Sequence, residues 1–546
     1  MGNLSRRRFL YGALSTISYS SLNPKILAAN QNQNINYIQI NIAGGPSRWN
    51  FDNPIAPFTK SSFVPHPMIV NSFMNKGNSN LASSLSYKRT KVNGLLMPSF
   101  WNETTLTSKG IKNVSGLLDN ALIIRGCHMR NDGHSLNNRK LSAPTPGSSS
   151  ISGLLADKLS HHLFPAVNLV ANSGIEAVAG GAFKSEQDSV QINTPQNSNN
   201  HLSYLLNPFI MNPSTSHRWK RLIQAELGQA IAKNYKKLLE KHSKRKKFYQ
   251  EIIKNGLDPY QLYNIGERPT QGALLEKLKS GKIHQDFVKY LNYDYFIGNT
   301  DFRTILQNSK IENMADQFAS AEILITEKLC GNITLNINTI SNLFYENSFS
   351  ATDIDREFLK NGSTQFFYSQ KSKMLSGNNV KHSFQPDSHD TGLMPNLFLT
   401  QALFKAISGC LLEFKQILEK NSLFDKTLIH IASEFDRDPR PDCSGSEHGW
   451  NGHISSFYSG SIKGLKVIGN IYTKSPGESY YKDNGTWGQG APIKENGNRP
   501  LVYGNIASSI SNVLNIKSPS QNDKPLFEMK SGKINTLIDE AKNIDS

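Results

Sequence analysis

Apolar and polar positions along this chain sort into short β-branched runs separated by longer amphipathic stretches. "NYIQINIAGG" (36–45) alternates and ends in two glycines, which predicts a strand running into a tight turn. "ALIIRG" (121–126) is a short apolar run of the kind found in buried strands. "SSISGLLADKLSHHL" (149–163) predicts a helix capped by a serine, and "FPAVNLVA" (164–171) a further strand. Residues 217–255, 271–293 and 311–330 place apolar side chains three and four apart with Lys and Glu between them, the mark of amphipathic helices. After "GNITLNINTI" (331–340), a predicted strand, comes the polar loop "SGNNVKHSFQPDSHDTGLMP" (376–395). The helix "NLFLTQALFKAISGCLLEFKQILEKN" (396–421) and the strand "TLIHIA" (427–432) follow.

Strands separated by helices imply an α/β fold, with a largely parallel sheet and helices on both faces. Sites in such sheets form outside the C-terminal strand ends. That edge is where "GGPS", "RGCHMRNDGH", "SHD" and "SEFDRDPR" are expected to meet. Residues 36–517 are read as the α/β domain, with a helical insertion at about 210–330 and a C-terminal tail at 518–546. The Pro- and Ser-rich stretch 46–115 reads as loop, and no internal repeat is present.

Length and composition bound the function. With 546 residues, 38% hydrophobic and 19% charged, the chain is that of a globular protein with a sizeable core. Cys127, Cys330, Cys410 and Cys443 are scattered without a CxxC pair, which argues against a zinc knuckle and a disulfide scaffold. The formal charge of +17 and the run "KHSKRKK" (241–247) raise the question of nucleic acid. That run continues a helical stretch, where a solvated basic face is the usual explanation, and no zinc-finger or RNP-like motif accompanies it. An anionic small molecule or polymer is the better-matched ligand class.

The N-terminal "LSRRRFLYGALSTISYSSLNPKILAAN" fits the twin-arginine export pattern S-R-R-x-F-L, with an h-region over Phe9–Leu22 and small residues for cleavage near Ala29. Residues 1–29 are therefore expected to be a signal peptide, the twin-arginine translocase a partner and the periplasm the destination. The stretch is too short and too polar to span a bilayer, so no transmembrane segment is expected in the mature protein.

The polar loops supply the candidate chemistry. "RGCHMRNDGH" places His128 and His134 around Asp132 just after a strand, a set suited to a divalent metal or to acid–base work. Arg125 and Arg130 flank it and can hold an anionic oxygen. "PDSHDTG" offers His389 and Asp390 before a helix N-terminus, and Asp–His neighbours serve two-metal hydrolytic sites. In "SEFDRDPRPDCSGSEHGW", Glu434 is a candidate ligand or general base. Arg437 and Arg440 are candidate clamps, and His448 is a candidate ligand. Each stretch also suits a plain polar loop, with Asx caps and local ion pairs. Trp450 and Phe457 among the charges tilt the last towards a packed site. Ser47 in "AGGPSRW" is a candidate nucleophile without the G-x-S-x-G elbow, and no Walker loop, HExxH or dinucleotide fingerprint occurs.

A twin-arginine signal, strand-GGPS, "ALIIRGCHMRNDGH", "SHDTG" and "TLIHIASEFDRDPR…SEHGWNGHISSFYSGSIKGLKVIGN" stand in the order of the exported domain-of-unknown-function 1501 family, which the chain resembles over 36–54, 121–134 and about 386–470. That resemblance implies the alkaline phosphatase-like, sulfatase-like α/β fold. It further implies a metal-dependent hydrolase of phosphate or sulfate esters. His128, His134, Asp390 and His448 would then be metal ligands. Glu434, Arg437 and Ser47 would act in catalysis, and Arg125 and Arg440 would contact substrate. The chain departs from the family pattern at Arg48, where GGPSH has histidine, and lacks the histidine of D-T-H-G after Thr391. An exported binding or scaffold protein of the same fold, catalytically inactive, is the alternative expectation.

Overall fold

The computed structural model describes residues 35–48, 51–54, 89–92, 95–160, 162–170, 183–196, 198–207, 228–256, 308–337, 343–347, 380–384, 393–439, 446–471 and 489–540. A central sheet is built from β1 (Asn36–Ile42), β2 (Asn120–His128), β3 (Ala166–Leu169), β4 (Gln191–Asn193), β5 (Asn332–Ile337), β6 (Thr427–Ala432), β7 (His453–Tyr458), β8 (Gly464–Ile468) and β9 (Leu501–Val502). Their spatial order is β8–β2–β7–β6–β1–β5–β3–β4, and β9 pairs with the far end of β2 at Leu501↔Cys127 and Val502↔His128. All pairings are parallel except those of β7, which runs against both β6 and β2. The sheet is therefore mixed and mostly parallel, as the alternation of strands and helices requires.

Seven helices occur among the described residues: α1 (His134–Ser142), α2 (Ile151–Lys158), α3 (His201–Leu206), α4 (Gly228–Gly256), α5 (Asn308–Thr326), α6 (Leu393–Lys420) and α7 (Tyr503–Leu514). They form two layers, because strand side chains alternate between the faces. Ile38, Ile40 and Ile42 of β1 pack into one core with Ile252, Phe318 and Ile407 of α4, α5 and α6. Tyr37, Leu428 and Phe457 pack into the other with Leu155 of α2 and Ile506 and Ile510 of α7. Each such fully buried aliphatic side chain contributes roughly 1.5–3 kcal/mol relative to exposure. α2 starts where the serine was expected: Ser150 Oγ accepts the Gly153 N–H at 2.9 Å.

The helix predicted over 217–255 appears from Gly228 as α4 and that over 311–330 as α5, whereas 217–227, 271–293 and the signal peptide lie outside the described residues. Two stretches read as loop carry short antiparallel strands. Within 46–115 these are Arg89–Val92 with Leu95–Pro98 and Thr104–Thr107 with Gly110–Asn113. Within 376–395, Val380–Phe384 pairs with Leu343–Asn347. The tail beyond 517 holds the hairpin Phe527–Lys530 with Lys533–Thr536, and its Phe527 and Ile534 join the second core. No helix among the described residues is long and apolar enough to cross a membrane.

The second face of the sheet also carries a chain of side-chain hydrogen bonds across six strands, buried except where it ends at the exposed Asn193. His453 Nε2 lies 3.0 Å from Ser455 Oγ, which lies 2.9 Å from His430 Nε2; His430 Nδ1 lies 2.8 Å from Tyr37 Oη. Tyr37 continues to Gln39 Oε1 at 3.4 Å, and Gln39 Nε2 to Asn41 Oδ1 at 2.7 Å. Asn41 Nδ2 reaches Asn336 Oδ1 at 3.4 Å, Asn336 Nδ2 reaches Asn168 Oδ1 at 2.6 Å, and Asn168 Nδ2 reaches Asn193 Oδ1 at 2.8 Å. Polar residues in these strands are thus affordable in a buried sheet because they satisfy one another.

Candidate functional site

The C-terminal ends of β1, β2 and β6 share one rim of the sheet, and the start of the antiparallel β7 lies beside them. β1 leads into Gly44 and Gly45, both at positive φ (+89° and +55°). A Cβ on Gly45 would sit 2.5 Å from the Phe435 ring, so this turn needs glycine for its backbone and for its neighbour. β6 leads into Ser433-Glu434-Phe435, which clasps that turn. The Gly44 N–H donates to Glu434 Oε1 at 2.8 Å. Arg437 donates from Nε to the Gly45 carbonyl at 2.8 Å and from Nη2 to the Gly44 carbonyl at 2.6 Å. The Ser433 hydroxyl donates to the Phe435 carbonyl at 2.9 Å.

Two imidazoles close over this clasp. His134, the first residue of α1, places Nδ1 2.8 Å from Glu434 Oε1. The carboxylate is fully buried, the imidazole 21% exposed. Glu434 Oε2 is buried without a hydrogen-bond partner among the described residues. His448 arrives on the hairpin Asp436–Pro439/Ser446–Gly449, directly across from Arg437. Its Nδ1 lies 2.5 Å from Asp132 Oδ1 on the loop before α1. The two rings stand edge to face with centroids 4.7 Å apart. Glu434, Arg437, His134 and His448, chosen from sequence, are therefore gathered at one place.

The other candidates are distributed differently. Ser47 is fully buried. Arg48 is buried beside it, donating from Nε to Asp52 Oδ1 at 2.7 Å and from Nη2 to Asp52 Oδ2. Ser456 donates to the same carboxylate at 2.5 Å. The Arg48 and Arg437 backbone N–H groups both donate to Asp436 Oδ1, at 2.7 and 2.8 Å. Burial nonetheless pushes the Asp436 carboxyl up to about 7. Arg125, expected to face substrate, is 1% exposed and donates from Nε to the Gly469 carbonyl at 2.9 Å and from Nη1 to that of Pro54. Burial lowers its guanidinium to about 9. His128, at the end of β2, meets the edge of Trp450 at 6.1 Å, and no ring contact joins it to His134 or His448. Burial is the main cause lowering its pKa. Asp390 and Arg440 lie outside the described residues, as does Cys443, while Cys127, Cys330 and Cys410 are free and buried.

Sequence reasoning passed over Phe435 and His430. Phe435 could have been found as the one large apolar side chain between Glu434 and Asp436 in an otherwise charged run. His430 sits inside the apolar run "TLIHIA", where its only signal was being out of place.

A divalent metal, implied by the family resemblance, finds part of a site here. Metal-bound histidines commonly carry a carboxylate on the other ring nitrogen, and both Glu434–His134 and Asp132–His448 have that form. Among the described residues, however, no group of three or more His, Cys, Asp and Glu converges to hold an ion. The described donors are an incomplete set.

No protein-family model matches the chain, and neither does any curated protein. Three solved chains match. The crystal structure of Ps i-CgsB in complex with k-i-k-neocarrahexaose is 8% identical with a TM-score of 0.27, over 92% of this chain and 81% of that one. The crystal structure of PsFucS1 sulfatase from Pseudoalteromonas sp. is 10% identical with a TM-score of 0.24, over 85% and 69%. The fold rests on the sheet and its helical layers; neither score is high enough to carry more.

Proposed function

We propose that this protein is an exported hydrolase of phosphate or sulfate esters that works at the rim formed by β1, β2 and β6. The observation that carries the reading is the paired carboxylate–imidazole arrangement, Glu434–His134 facing Asp132–His448. A carboxylate on Nδ1 orients an imidazole for proton transfer at its other nitrogen, which is the recurrent means of making histidine an acid or base. In hydrolysis one imidazole takes the proton of the attacking water and the other gives a proton to the departing alkoxide. The ester is thereby converted to an alcohol and a phosphate or sulfate. Glu434, held by the Gly44 N–H and removed from solvent, fixes the first ring. We assign the anionic group of the ester to Arg440, by its charge. A divalent metal, taking Nε2 of His134 and His448 together with Asp390, would supply Lewis-acid polarisation of the ester oxygen in place of their proton transfer. Export by the twin-arginine translocase to the periplasm belongs to the same reading and is supported by the motif around Arg6 and Arg7.

The test is hydrolysis of nitrophenyl phosphates and sulfates by the mature protein, with Glu434→Gln and His134→Gln beside it. A loss of about 10²–10⁴-fold in kcat/KM in each variant is expected for removed acid–base groups. Metal content by mass spectrometry, in the native protein and in a His134→Ala/His448→Ala variant, tests the metal separately. An activity that survives both Gln substitutions, or no turnover of either ester class, overturns the hydrolase reading.

One observation favours a second reading, an inactive binding or scaffold protein. The arginine that replaces the family's histidine is locked in an internal ion pair with Asp52, so charge at the rim is neutralised within the fold. Binding of an anionic polymer without turnover is the outcome that would support it.

A further inference from the structure

We propose that Phe435 is the positioning residue of the rim: one buried ring sets where both imidazoles stand. This rests on the hydrolase reading for its catalytic meaning, although the geometry stands without it. Phe435 is fully buried. His448 stacks on its ring with centroids 4.2 Å apart and planes at 27°, and His134 leans on it at 4.8 Å and 60°. The Arg437 guanidinium carbon lies 5.0 Å from the same ring centroid. Gly45 meets it where a Cβ would be 2.5 Å away.

Three of these neighbours come from separate parts of the chain: Gly45 from the turn after β1, His134 from α1, and His448 from the far strand of the hairpin. Each imidazole has a carboxylate on Nδ1, the two rings meet edge to face, and the Phe435 ring gives both a common surface to pack against. Offset and edge contacts between rings have defined preferred distances, so one fixed ring specifies the placement of two others. The Phe435 backbone is itself held by the Ser433 hydroxyl on its carbonyl. A site made of two dyads on different elements needs such a shared reference, because groups in acid–base catalysis must be placed to within fractions of an ångström.

The experiment compares Phe435→Leu, which keeps apolar bulk and removes the ring, with Phe435→Tyr, which keeps the ring. Histidine-selective ¹⁵N labelling of the mature protein reports the imidazole nitrogens of His134 and His448. His430 and His453, buried on the second face of the sheet, serve as internal references. In Phe435→Leu the nitrogen signals of His134 and His448 are expected to shift or broaden together while those of His430 and His453 stay in place; Phe435→Tyr should restore them. Where the protein turns over an ester, Phe435→Leu should lower kcat by about 10–100-fold with KM changed less than about threefold, as expected of misplaced groups. Unchanged His134 and His448 signals in a folded Phe435→Leu protein overturn the proposal. If Phe435→Leu does not fold, Phe435→Met takes its place. The nitrogen signals need no substrate, so an unsubstituted protein without turnover, whose two imidazoles are nonetheless displaced by Phe435→Leu, sinks the hydrolase reading and leaves the positioning role standing.

Discussion

Arg48 and Asp52 form an ion pair in which neither side chain is exposed, held by two parallel hydrogen bonds across one turn of the chain after β1. Bidentate arginine–carboxylate geometry is strong, but its members are dependent on each other. Removing either one alone strands a charge beneath the rim. Arg48→Met or Asp52→Leu is expected to cost about 3–5 kcal/mol, and the double variant markedly less than the sum. Denaturant midpoints of the two single variants and the double variant measure this; simple additivity would show that the pair is not coupled.

Asp436 gives the protein a stability that falls as pH rises. Its folded carboxyl is pushed up to about 7 by burial. Unfolded, it would release its proton near about 4. Between those values the native state holds a proton that the unfolded chain does not. Stability from this group is therefore full below about pH 4 and lost as pH climbs to 7. Asp436→Asn, which can still accept the Arg48 and Arg437 N–H groups, should flatten the thermal midpoint over pH 5–8. A wild-type slope that persists in the variant would show that Asp436 is not its source.

His453 and His430 act in the opposite sense. Burial, the first cause for each, lowers His453 to about 3 and His430 well below its usual value. The unfolded chain binds protons at these sites from about pH 6.5 downward while the native state does not. Their contribution is present above that pH and lost as pH falls towards 3. His453→Gln should make acid unfolding shallower, followed by far-ultraviolet circular dichroism. An unchanged acid midpoint would assign the transition elsewhere.

Gly45 is constrained twice, by its φ of +55° and by the Phe435 ring. Gly45→Ala should therefore destabilise the protein by more than the ~1–2 kcal/mol of a left-handed alanine alone, and should displace the ring. Gly497, also at positive φ (+68°) but with open space around its missing Cβ, is the matched control. Equal costs at the two positions would remove the claim that the ring sets the constraint.

The regular architecture was largely legible in the sequence. β1, β2 and β6 announced themselves by apolar, β-branched runs ending in polar or glycine-rich loops, and α6 by its periodicity. The small hairpins were not legible. Gly110–Asn113 is exposed at every position, so no alternation marks it as a strand. At the rim, residue types that bear chemistry were visible, but their destinations were not. Arg125 looks like an anion contact because arginine usually is one near a surface. Its burial against the Pro54 and Gly469 carbonyls depends on segments far away in the chain. Phe435 was missed because a lone aromatic reads as packing, and its importance arises only once two histidines from other elements arrive on it.

The cross-sheet chain of side chains has a sense of direction, and one backbone carbonyl sets it. Asn336 Nδ2 donates to the Leu169 carbonyl at 3.0 Å as well as to Asn168, which fixes which way round that amide stands. Asn336 must then receive from Asn41, Asn41 from Gln39, and Gln39 Oε1 must accept the Tyr37 hydroxyl hydrogen. Continued along the chain, that direction predicts Tyr37 accepting from His430 Nδ1–H, Ser455 donating to His430 Nε2, and His453 protonated on Nε2, four strands away from the β3 carbonyl. Imidazole ¹⁵N shifts of His430 and His453 that move in Asn336→Leu, which removes the amide that sets the direction, would support it, and shifts that ignore the substitution would show each link to be set locally.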